Sequence, residues 1–329
     1  MNRSRQRAPY RRAGLLLLFL SLLLTAGCGA GERRPAEHLV AASFLPVYDF
    51  TAQLAGGLPG VRVVMVAGAA ASPHGVALTP GDFRELARAE VIVRHGLRID
   101  AWLDEAVLEA AGIAGKATVI ELADGVPLSA LRPPPGGAGE ADTLLLGDLH
   151  PRPAWLDTLN PHLWVSPVLA GWEVKYLARR LAAALPEYAD SIEARGNRIL
   201  ARLDSLTAEF RSLARRGDRP GLVVYHDEMR YFARDTGFSL LGVIEASEGI
   251  PPGPRHLDDL RRRMKAAPPV AIAVEPFSPK TTVSTLAKET GVPVILFDPA
   301  GVGEPVAGAY FRAMERNLAT LRAVVEGRR

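Results

Sequence analysis

The chain has 329 residues, 48% of them hydrophobic, which is long and apolar enough to bury a sizeable core. Its one cysteine, Cys28, excludes an internal disulfide, a cysteine-based metal site and a thiol nucleophile in everything that follows it. The 39 basic and 36 acidic residues give a net charge of +3. Five of the arginines (Arg3, Arg5, Arg7, Arg11 and Arg12) stand ahead of any acid, and without them the balance is about −2, which removes the case for nucleic-acid binding by charge.

Behind those arginines, Leu15 to Leu24 is apolar except for Ser21. Such a run is too short to span a bilayer as a helix and has the form of a signal-peptide core. It ends in Leu24-Thr25-Ala26-Gly27-Cys28, where small residues before a cysteine resemble a lipobox. The expectation is a lipoprotein-type signal over 1–28, with Cys28 carrying the lipid, and a tether over 29–37. An ordinary secretory signal with an incidental cysteine is the alternative.

The rest of the chain alternates short apolar runs with helical spacings, the pattern of parallel βα units. It predicts strands at 38–44, 61–67, 91–93 and 117–122, with helices at 47–55, 79–89 and 102–111 between them. The stretch 124–161 holds Pro133-Pro134-Pro135-Gly136-Gly137 and has no amphipathic period, so it reads as a long surface loop. The apolar run Leu163-Trp164-Val165 and a helix over 168–185 come next. After Pro186 a second long helical pattern, 187–216, places Ile192, Ile199, Leu203, Leu206 and Phe210 on one face. The alternation then resumes, with strands at 222–225, 240–244, 270–274 and 293–297 and helices at 229–236, 254–267, 279–290 and 306–325. The predicted fold class is α/β: two parallel-sheet lobes (38–186 and 218–329) joined by one long rigid helix (187–217), with a ligand cleft between them.

Seven histidines are present. His74 follows the second strand in Ser72-Pro73-His74, His162 heads the 163–165 run in Asn160-Pro161-His162, and His226 ends the 222–225 strand. Asp298 ends the last strand, in Phe297-Asp298-Pro299. Residues at such ends share one edge of a sheet, and three imidazoles with one carboxylate suit a divalent transition metal. Pro73, Pro161 and Pro299 fix the backbone beside three of the four. A lone histidine at a strand end is more often a cap or a solvated group, and Asp298 before Pro299 is also a turn former. His38, His95 and His256 read as surface or structural.

Several segments in order resemble the metal-binding solute-binding proteins of zinc and manganese ABC importers, the cluster A-I group. They are Ser43-Phe44-Leu45-Pro46-Val47-Tyr48-Asp49-Phe50, Pro73-His74 with Leu78-Thr79-Pro80-Gly81-Asp82, Ala89 to Leu97, Asn160 to Pro167, Tyr225-His226-Asp227 with Tyr231-Phe232, Glu275-Pro276, and Leu296 to Pro299. The resemblance spans nearly the whole chain after the signal. It implies two lobes on a rigid helix, metal between them, and His74, His162, His226 and Asp298 as ligands. Histidine at the third position goes with zinc in this group and glutamate with manganese, so His226 favours Zn2+, with Mn2+ or iron as the alternative. Many zinc-specific relatives carry a His-rich loop between the first two ligands, whereas 124–160 here contains only His150.

The resemblance implies reversible capture rather than catalysis, since four protein ligands leave no open position for an activated water. The expectation is a monomer, exported and, from the N-terminal signal and Cys28, anchored by lipid at the extracytoplasmic or periplasmic face. The permease and its ATPase would be separate chains. Two other readings remain at this stage: a surface adhesin, and a metallohydrolase with Asp227 or Glu228 as base.

Overall fold

The computed structural model of the chain describes residues 37–68, 72–131, 158–245 and 249–327. The expected signal with Cys28, and the part of the expected loop that carries His150, lie outside these residues. His38–Arg329 forms one compact unit.

Four strands make the first sheet: β1 (His38–Ala42), β2 (Val61–Met65), β3 (Val91–Arg94) and β4 (Thr118–Glu121). All pairings are parallel and the order is β2-β1-β3-β4. The second sheet, from β5 (Gly221–Val224), β6 (Ser239–Val243), β7 (Ala271–Val274) and β8 (Val294–Leu296), is also parallel, in the order β6-β5-β7-β8. The inner strands β1, β3, β5 and β7 are short and rich in Val, Ile, Leu and Ala, and mostly buried, as parallel strands covered on both faces must be. In each sheet the chain steps from the first strand to one edge and then crosses back to the other side. That reversal opens a crevice at the carboxyl ends of the strands.

The crossovers of the first lobe are α1 (Leu45–Ala55), α2 (Pro80–Leu86) and α3 (Glu105–Ala110), followed by the short α4 (Leu128–Leu131). Thr79 and Asp82 form a capping box at the start of α2, beside Pro80 in the first turn. The helix expected over 102–111 is split. Asp104 turns extended and accepts from Val107 N, so a 3-10 turn (Ala101–Leu103) ends there and α3 starts afresh. The 163–165 run is also a 3-10 turn (Leu163–Val165), not a strand; it feeds α5 (Pro167–Ala184) through the Ser166 cap.

The joining helix is α6 (Ala189–Arg216), 28 residues with its apolar face on Ile192, Ile199, Leu203, Leu206, Phe210 and Leu213. The second lobe adds α7 (Arg230–Thr236), α8 (Pro254–Ala266), α9 (Lys280–Thr290) and α10 (Ala309–Glu326). α7 and α9 stop on Gly237 and Gly291, both left-handed, where an L side chain would be strained. α6 packs on α1 and α5 of the first lobe and on α7 and α10 of the second. One continuous hydrophobic core includes Val40, Val91 and Phe50 from the first lobe, α6, and Leu222, Phe297 and Tyr310 from the second.

Polar contacts cross the same seam. Asp49 on α1 accepts from Gly308 N and from Tyr310 N (2.8 Å) at the start of α10. Trp164 is 1% exposed; its indole donates to Pro299 O (2.8 Å), and its carbonyl accepts from the Tyr310 hydroxyl (2.9 Å). These partners satisfy buried polar groups that would otherwise destabilise the interface.

Candidate metal centre

His74 lies between β2 and α2, His162 immediately before the Leu163–Val165 turn, and His226 two residues beyond β5. Their ligand nitrogens all lie within 4.8 Å of one another. The three ring centroids are 5.0 to 5.9 Å apart. Among the described residues this is the only group of three or more His, Cys, Asp or Glu so tightly placed.

Each loop is held by its own contacts. The Trp102 indole donates to Pro73 O (2.8 Å), pinning the backbone before His74. Asn160 holds two of the histidine loops at once. Its Oδ1 accepts from the His162 backbone N–H (3.0 Å) and faces His162 Nδ1 at 2.9 Å, while its Nδ2 donates to Asp227 O. An oxygen partner makes His162 Nδ1 the protonated nitrogen and leaves the lone pair on Nε2. That Nε2 faces His74 Nε2 at 3.1 Å. Two imidazole nitrogens so close share a single hydrogen, in the place a cation would take.

Burial pushes the His162 imidazole well below its ordinary value, and His226, His74 and His95 push it the same way. A neutral imidazole is the form that binds metal.

The histidines line a cavity of about 240 Å3 together with Glu228, Glu245 and Glu275. Glu228 and Glu275 are each 5% exposed. Burial raises the Glu228 carboxyl well above the usual range, and neighbouring Glu275 and Asp298 add to the rise. Two larger grooves run along the α5–α6 seam, away from the histidines. Among the described residues they hold no cluster of ligand groups, and the three-histidine group lies in the smaller cavity.

Asp298 is not in the tight group. Its Oδ1 accepts from Ala300 N (2.8 Å) and its Oδ2 from Arg316 (3.0 Å), while Asn317 brackets its backbone. In this arrangement it serves as the turn former that Asp-Pro also suggests. His95 is fully buried, with Nε2 2.7 Å from Glu173 Oε1 and its ring 5.0 Å from that of Trp164. Burial alone would lower the His95 pKa; the Glu173 carboxylate outweighs it and the net shift is upward. His38 pairs with Glu90 and Glu187 near the surface, and His256 contacts Val243 O. No sequence signal marked Glu173 as a partner, since a charge inside an amphipathic helix normally reads as solvated.

Known proteins share this architecture. The chain is 24% identical over 321 residues to zinc-binding lipoprotein AdcA of Streptococcus pneumoniae, covering 96% of this chain but 61% of that one. It is 24% identical over 286 residues to the high-affinity zinc uptake system protein ZnuA of Bacillus subtilis, covering 85% of each. The structure of the solute-binding protein FpvC of Pseudomonas aeruginosa in complex with Mn2+ superposes with a TM-score of 0.71 at 23% identity, over 89% of this chain and all of that one. The profile of the zinc-uptake complex component A periplasmic family, ZnuA, matches residues 40–324, and the chain belongs to that family.

Proposed function

We propose that this chain is the solute-binding component of an ABC importer, capturing a divalent transition-metal ion, zinc, outside the cytoplasmic membrane and delivering it to the permease. The observation that carries this reading is the convergence of three imidazole nitrogens within 4.8 Å. Imidazole suits zinc better than it suits manganese. Family membership and the names of the relatives agree in direction.

In this proposal His74, His162 and His226 hold the ion. Asp298 is the fourth ligand by the family's pattern, and to serve it would leave Arg316 and Ala300 N. The first lobe spans 38–186, the joining helix 187–217 and the second lobe 218–329. Residues 1–28 form the signal, and lipid on Cys28 tethers the domain through 29–37. The permease and ATPase are separate chains.

The mechanism is an exchange. The ion arrives hydrated and trades water for nitrogen donors, while the hydrogen between the two Nε2 atoms passes through water to the other nitrogen of the His74 ring. Asn160 keeps the His162 lone pair aimed inward, so little reorientation accompanies capture. The test is metal loading of the chain from residue 29 onward, stripped and then offered equal zinc and manganese. One zinc per chain, lost in His226→Ala while the circular dichroism is unchanged, is the expected result. Zinc retained by His226→Ala rejects the site; preference for manganese overturns the cargo but not the importer role.

A further inference from the structure

The three imidazoles account for only part of the cavity lining. The same cavity is also lined by Glu228 and Glu275, both nine-tenths buried or more, from the turn after β5 and from just beyond β7. The Ser278 hydroxyl donates to Glu275 Oε2. Glu228, lining the same cavity, has no such donor among the described residues. Among the described residues no Lys or Arg forms an ion pair with Glu228 or Glu275. Two buried carboxylates side by side without a cation are unfavourable, and such groups in native proteins are paired or coordinate metal.

Asp298 differs in this respect, because a guanidinium and a backbone N–H already satisfy its two oxygens. Glu228 is therefore a buried carboxylate of the cavity with no counter-charge among the described residues, two residues along the chain from His226. Carboxylate oxygens favour harder dications such as Mn2+, which imidazole alone holds poorly. Resting on the importer reading above, we propose that Glu228, backed by Glu275, is a specificity determinant that admits manganese-like dications to the three-histidine cavity alongside zinc.

The experiment uses the chain from residue 29 onward with Mn2+ and Zn2+ as probes. Manganese affinity is followed by the loss of the free-ion paramagnetic resonance signal, and zinc affinity by chelator competition. The wild type is expected to bind both, and Glu228→Gln to lose about tenfold or more in manganese affinity while zinc changes by less than about threefold. Glu228→Ala should do the same, which separates the effect from any misfolding of one variant; melting curves of the metal-free proteins check that both are folded. Equal loss of both metals, or no loss of either, overturns the proposal. A wild type that binds zinc but no manganese also overturns it and leaves the zinc reading intact. A wild type that binds neither ion refutes the importer reading itself.

Discussion

At the residue scale the site depends on groups that orient the histidines as much as on the histidines. Asn160 holds the His162 ring and the backbone beside His226. Asn160→Ala should lower zinc affinity by roughly 10- to 100-fold with all three imidazoles present, read by chelator competition. His95 and Glu173 form a charge pair fully inside the core, and Glu173→Gln, which removes the anion and leaves the imidazole, should cost about 3–5 kcal/mol in urea unfolding. The pH dependence follows from the raised His95 pKa. Below the ordinary imidazole value of 6.5 both folded and unfolded chains hold the proton, and the pair contributes fully. As pH rises past that value the unfolded imidazole loses its proton first, and the contribution fades as pH climbs through the folded value. Stability measured from pH 6 to pH 8 should therefore fall more steeply in the wild type than in His95→Asn. The three converging histidines were legible because each sits beside a proline or at the end of an apolar run. Glu228 entered the sequence reading only as a hydrolase base, and its burial with Glu275, like the His95–Glu173 pair, was not legible, because nothing in a single sequence says which acids a fold turns inward.

At the element scale, Asp49 closes the first turn of α10 from the other lobe. Asp49→Ala strips two N–H groups of their acceptor and should destabilise the chain by about 1–3 kcal/mol. Hydrogen exchange should speed up first at residues 308–311, and an unchanged exchange rate there would mean water replaces the carboxylate without loss. The strands were readable almost to their ends, since buried parallel strands give dense Val-Ile-Leu-Ala runs. The 163–165 run shows the limit. Three apolar residues fit a strand or a buried turn equally, and the structure shows that Ser166 with Pro167, a helix start, closes the run as a turn. The split at Asp104 is similar: its carboxylate caps a new helix within what periodicity alone reads as one.

At the scale of the whole molecule, the expected two-lobe architecture is present, with the same strand order in both sheets. The seam between the lobes is packed and bonded rather than hinged. α6, about 42 Å long, lies against helices of both lobes along its flank. Spin labels on Arg62 and Arg262, one in each lobe and both partly or fully exposed, should report a distance that changes by no more than about 1–2 Å on zinc loading. A larger shift would mean the shared core parts. The continuity of that core could not be read from the sequence, because apolar positions reveal that a face is buried but not against what.

The Trp164 tie, indole to one lobe's last loop and carbonyl to the tyrosine that opens its last helix, bears on how long cargo stays. If the seam does not part, an ion leaves only by breaking its own ligand bonds one after another. Escape then involves little drag on the surrounding liquid. Transfer of bound zinc to an excess of chelator should proceed at the same rate in water and in concentrated sucrose, whereas a molecule that gapes to let go would slow in proportion to the thickness of the medium.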